Sequence, residues 1–341
     1  MTSGGSRSSG ARQNGMALTA VVTLVCMIFF AANSLLCRMA LAGAGMDAVS
    51  YTVLRSVSAA LVLWLFLWLR GERALRFGSW RAALALFAYM ACFSWAYVNL
   101  PAAAGALIIA VAVQTSMVGA GVALGQRPSR AQALGIALAM AGLVYLLLPG
   151  LDAPPLWPSA IIFLSGVAWA VYTLLGRRNS APVAATAGNF VRCLPLALLF
   201  LPLAWLGHAG AGAGAGAEAG AGVVAGIVPS ELASDVASAV VSDVASDVIW
   251  SGGPALPLAG VLCALAAGGI ASALGYVLWY SVLPRLSVPT AAVVQLSVPL
   301  ITALGGALFM GEALTLRLGI STAAILGGIF CATVLASVRK S

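Results

Sequence analysis

Ten long apolar runs dominate the sequence and leave it few folds to choose from. They fall at 17–37, 49–69, 80–98, 102–125, 131–148, 157–176, 183–206, 256–283, 289–310 and 316–336. Each approaches the roughly 20 residues a helix needs to cross a hydrocarbon core. Backbone inside lipid must satisfy its own polar groups, so such runs predict helices and not open sheets. Charged residues make up only 8% of the 341 positions and hydrophobic ones 62%, whereas a soluble domain carries roughly 25% charged residues. The expected fold class is an all-α integral membrane protein of ten transmembrane helices, with the lipid bilayer as its surroundings.

The charges also predict an orientation, because loops on the cytoplasmic side are enriched in Lys and Arg. With the amino terminus inside, Arg7, Arg12, Arg70, Arg73, Arg76, Arg81, Arg127, Arg130, Arg177, Arg178, Arg285, Arg339 and Lys340 all fall inside. Only Arg38 and Arg317 fall outside, while Asp47, Asp152, Glu312 and the acids between 207 and 253 are outer and Glu72 alone is inner. Both termini are thus expected in the cytoplasm, in the inner (plasma) membrane. Residues 1–15, rich in Gly, Ser and Arg, read as a disordered cytoplasmic tail.

Several chemistries are disfavoured. The net charge of +8 is scattered through the loops without a basic face, which argues against nucleic acid as a partner. Six cysteines lie in or beside apolar runs without CxxC spacing, and His208 stands alone, so no metal and no cofactor is expected. Lys340 is the single lysine, which excludes a phosphate-binding loop. No catalytic constellation emerges.

The two halves of the chain resemble one another. Ser34-Leu35-Leu36-Cys37-Arg38 matches Thr173-Leu174-Leu175-Gly176-Arg177, and Tyr51-Thr52-Val53-Leu54-Arg55 parallels Gly188-Asn189-Phe190-Val191-Arg192. Later, Trp95-Ala96-Tyr97 parallels Leu278-Trp279-Tyr280 at a larger offset. An Ala/Gly-rich stretch at 207–253, itself without a span, accounts for the change. The expected organisation is a first repeat at 16–150 and a second at 151–341 carrying that insertion on the outer side. Five spans per half require the repeats to be inverted in the membrane.

The residues of the ninth and tenth runs carry a resemblance. Gln295-Leu296-Ser297-Val298-Pro299, Gly305-Gly306, Leu308-Phe309-Met310-Gly311-Glu312-Ala313-Leu314, Gly319 and Gly327-Gly328 resemble the signature of the EamA branch of the drug/metabolite transporter superfamily. The first half departs from it, with Thr115 or Ser116 in place of the proline and Pro128 or Ser129 in place of the glutamate. The resemblance implies a non-enzymatic efflux carrier, an exporter of small metabolites such as amino acids or related polar solutes. A membrane enzyme acting on lipid-linked substrates and a non-transporting regulatory subunit are the alternatives.

A charged side chain within a span is costly, so Arg55 and Arg192 read either as ligands for an anionic group of a substrate or as helix-fixing residues. Asn33, Tyr172, Trp95, Tyr97, Gln114 and Gln295 complete a candidate substrate cavity, with interhelical hydrogen bonds as the plainer role. Pro101 and Pro299 are candidate helix breaks, and Glu312 is a candidate gate or helix-end residue. GxxxG spacing at Gly121 and Gly125 permits close packing, within the bundle or in a homodimer.

Overall fold

A computed structural model describes residues 5–123, 125, 129–148, 153–176, 181–211, 256–282, 285, 294–295 and 297–331 of the protein. The described residues hold helices and no strand. They are α1 (Gly5–Arg38), α2 (Ala48–Leu69), α3 (Trp80–Tyr97), α4 (Ala102–Ala123), α5 (Arg130–Leu147), α6 (Leu156–Gly176), α7 (Pro182–Ala211), α8 (Leu258–Val282), α9 (Ser297–Met310) and α10 (Leu316–Phe330). Among the described residues, seven helices are long and apolar enough to cross a membrane. The other three are α3, whose 18 residues include Arg81, and the shorter apolar helices α9 and α10.

Local sequence explains the boundaries. Asp47 starts α2 by accepting hydrogen bonds from the amides of Val49 at 3.0 Å and Ser50 at 2.8 Å. Ser79 and Thr315 cap α3 and α10 in the same manner, and Ser129 with Gln132 forms a reciprocal capping box on α5. Helix α1 reaches back to Gly5, into the segment expected to be a tail. No proline interrupts it, and each residue added to an existing helix gains a hydrogen bond for the one residue fixed. Most of the insertion at 207–253 and the loop arginines Arg127, Arg177 and Arg178 lie outside the described residues.

The packing order has a two-fold pattern. Helix α2 packs on α7, α5 on α10 and α4 on α9. Helix α3 packs on α6 and α7, as α8 packs on α1 and α2, while α4 meets α6 as α9 meets α1. Small residues set the closest approaches, as membrane helices require. In α8 the backbone is π-helical over Ala266–Leu274, and there Gly268 lies against Ser58 Oγ and the Arg55 carbonyl of α2. A Cβ at Gly268 would overlap both atoms. Gly268→Ala is therefore expected to cost about 1–3 kcal/mol, measured as a lower unfolding temperature in detergent. An unchanged temperature would show that α2 and α8 are not packed this closely.

Candidate functional site

Helices from both halves surround a central cavity of about 210 Å³. Phe30, Asn33 and Ser34 of α1, Tyr89 and Phe93 of α3, and Gln114 of α4 line it from the first half. Trp169 of α6, Ser272 and Tyr276 of α8, Gln295, and Pro299 of α9 line it from the second. That space holds several waters, enough for a small solute.

The walls are aromatic and closely joined. Trp169 stacks on Tyr276 with centroids 5.6 Å apart and 18° between planes, and lies 4.9 Å from Tyr89. Polar groups are few and separate. Asn33 donates to the Tyr89 hydroxyl at 3.5 Å, while Asn33 Oδ1 and Ser272 Oγ are buried without protein partners. An apolar pocket with a few polar groups is the usual form of a small-molecule site. No charged residue lies in the described lining.

Of the expected residues, Asn33, Gln114, Gln295 and Pro299 line this cavity. Several other expected residues do not. Arg192 donates to the Phe77 carbonyl at 2.5 Å and to its own-helix Gly188 carbonyl at 2.9 Å. It ties α7 to the α2–α3 loop and is not among the residues lining the cavity, because the Phe77 carbonyl comes within its reach. Trp95 is 57% exposed on the outside of the bundle, two residues and about 200° around α3 from Phe93. Tyr97 is buried against Phe93, its hydroxyl donates to the Ala102 carbonyl at 3.3 Å, and Gly105 leaves room for its ring. Tyr172 stands behind Trp169, with its hydroxyl 3.1 Å from Thr186 Oγ1. Pro101 does not break a helix: it precedes α4, and its carbonyl accepts the Gly105 amide at 3.0 Å. Pro299 lies within α9, two residues after Ser297, and lines the cavity.

Arg55 is 1% exposed. Its guanidinium lies over the ring of Phe93 at 5.0 Å and over that of Tyr89 at 5.7 Å, directly behind the cavity wall.

A second cavity of about 340 Å³ lies at the other end of α4, lined by Arg38, Asn99, Pro101, Glu312 and Thr315 among others. Here Gly311, with φ 65°, lets the chain leave α9 and turns the Glu312 amide onto the Gly306 carbonyl at 3.1 Å. Both Glu312 carboxylate oxygens accept the Ala102 amide, at 3.0 and 2.9 Å, on the N-terminus of α4. Arg38 Nε lies 3.5 Å from Glu312 Oε1, and Arg38 also donates to the carbonyls of Tyr97 and Val98. The ends of α1, α3, α4 and α9 are joined by this one ion pair. No group of three or more potential metal ligands occurs among the described residues.

Sequence reasoning passed over Arg38, Phe30, Phe93, Ser272 and Tyr276. Helical phase could have found Phe93 and Phe30, which lie four and three residues from the candidates Tyr97 and Asn33. No local signal marks Arg38, whose partners come from distant parts of the chain.

The chain matches the EamA-like transporter family over residues 17–148 and 236–334, and a Pseudomonas aeruginosa protein described as uncharacterised is 43% identical over 312 residues, covering 91% of this chain and 93% of its own. The chain belongs to the EamA-like transporter family. It is a multi-pass membrane protein of a family of transporters, and the family match falls on both halves. A protein of known crystal structure, 19% identical, superposes with a TM-score of 0.57 over 95% of this EamA-family chain and 99% of its own. That likeness concerns fold alone.

Proposed function

We propose that the protein exports a small metabolite from the cytoplasm by alternating access between two inverted halves, α1–α5 and α6–α10. The observation that carries this reading is the central cavity at the seam of the two halves, walled by both. The two-fold packing order supports the inversion, since α2 on α7, α4 on α9 and α5 on α10 each map onto themselves and α3 on α6 has its counterpart in α8 on α1. Helix α4 runs from the Glu312 latch to Gln114, so the cavity extends away from the latched end. With both termini cytoplasmic in the inner membrane, the latched end is the outer one, and a solute would load from inside. Aromatic side chains Trp68 and Trp80 are exposed at the inner ends of α2 and α3, as interfacial anchors are.

The test is efflux from proteoliposomes loaded with a mixture of amino acids, organic acids, sugars and amines, with mass spectrometry of what leaves. At least one solute class is expected to leave faster than from protein-free vesicles. Gln114→Ala with Gln295→Ala is expected to slow that efflux about tenfold or more, at about 1 kcal/mol per lost polar contact, with unchanged folding. If no solute leaves and a stable partner copurifies, the regulatory-subunit reading replaces this one.

A further inference from the structure

Among the described residues, Arg55 is a charge without a counter-charge. Its Nε and Nη1 are buried and have no hydrogen-bond partner. The three carboxylates among the described residues are engaged elsewhere: Asp47 caps α2, Glu72 pairs with Arg70, and Glu312 pairs with Arg38. The neighbouring Tyr51 hydroxyl is likewise buried without a partner, one helical turn before Arg55 on α2. Burial of an ion is costly unless something opposite in charge approaches it. The ring faces of Phe93 and Tyr89 supply part of that compensation by cation–π attraction.

Those two rings are also the cavity wall, so the guanidinium is one ring's thickness from the solute space. The described lining has no charge to cancel its field. At an effective dielectric constant of about 20, a unit charge about 10 Å away changes affinity for an ion roughly tenfold. Cations entering the cavity meet this repulsion, and anions meet the reverse. Five aromatic rings, Phe30, Tyr89, Phe93, Trp169 and Tyr276, leave little for a strongly polar body to bond.

We propose that the central cavity selects small organic monoanions with a flat apolar body, and that Arg55, behind the Tyr89–Phe93 wall, sets this preference by its field. The proposal rests on the central cavity being the solute site of the transporter reading. Asn33 and Ser272, which line the cavity, and the amides of Gln114 and Gln295 then hold polar atoms of the same solute.

Three probes of nearly one shape separate charge from fit: benzoate, benzamide and benzylammonium. Binding to the detergent-purified full chain is measured by quenching of tryptophan fluorescence, with Trp169 in the wall, and by calorimetry. Benzoate is expected to bind at least tenfold more tightly than benzamide, and benzylammonium more weakly than either. Arg55→Gln is expected to bring benzoate and benzamide to equal affinity, while Arg55→Lys keeps benzoate ahead. Because the wild-type comparison alone reads the charge preference, a misfolded Arg55→Gln does not remove the test. Equal binding of benzoate and benzamide to wild type overturns the anion preference and leaves the transporter reading standing. A benzoate preference that survives in folded Arg55→Gln overturns the role of Arg55, and no binding of any probe at millimolar concentration overturns the proposal as a whole. Absence of efflux in the vesicle experiment is a separate result and decides the transporter reading by itself.

Discussion

Glu312→Ala is expected to open the latched end of the bundle, the outer one in the proposed orientation, and to lower its stability by about 2 kcal/mol. The carboxylate accepts the first amide of α4 with both oxygens and lies beside the Arg38 guanidinium. A hydrogen bond to a charged group contributes roughly 1.5–3 kcal/mol, and a negative charge at a helix N-terminus adds a further fraction at partial exposure. Both side chains are partly accessible, at 15% for Glu312 and 19% for Arg38, so solvent screening reduces the ion-pair part. Removal of the carboxylate also frees Arg38 from its anchor, and Arg38 holds the carbonyls that end α3. The check is labelling of Ser34→Cys, in a background with the six native cysteines replaced by alanine, by an impermeant maleimide added outside intact cells. Labelling is expected to rise at least tenfold with Glu312→Ala. Glu312→Gln, which keeps an acceptor for the Ala102 amide, is expected to fall between. Unchanged labelling in both variants would mean that the pair is a surface contact and no latch.

The helices were legible because lipid imposes a length and a composition, and both are visible without knowing what packs on what. Runs such as 49–69 and 157–176 reappear within a residue as Ala48–Leu69 and Leu156–Gly176. The cavity was legible in part. Asn33, Gln114 and Gln295 are amides in apolar surroundings, and hydrocarbon gives such groups a reason to face inward. Arg55 and Arg192 were not separable, since each follows a polar residue by three positions at matching places in the two halves. Their difference comes from the Phe77 carbonyl, supplied to Arg192 by a loop 115 residues away and not to Arg55. Trp95 was misplaced by its type. Tyr89, Phe93 and Tyr97 recur every four residues on one face of α3, which leaves Trp95 on the opposite face. The Arg38–Glu312 pair joins the first helix to the end of the ninth, and only a folded chain brings them together.

Filling the cavity separates a transport path from a packing defect more sharply than removing any polar group. Ala110 lines the cavity from α4, three residues above Val113 and four above Gln114. Ala110→Trp places a second indole, beside that of Trp169, among the residues lining a space of about 210 Å³. A side chain of that size occupies a large part of the room a solute needs, while the space already present limits the overpacking penalty to the lower end of about 1–3 kcal/mol. Efflux of whichever solute the vesicle experiment identifies is expected to fall at least 100-fold, with an unfolding temperature within a few degrees of wild type. Val144→Trp, on a residue 56% exposed on the bundle surface, controls for the added indole and is expected to leave efflux unchanged. Equal efflux from Ala110→Trp and wild type would mean that the solute passes elsewhere, and that the central cavity is a gap in packing. Loss of efflux in both tryptophan variants would place the effect in the lipid-facing surface.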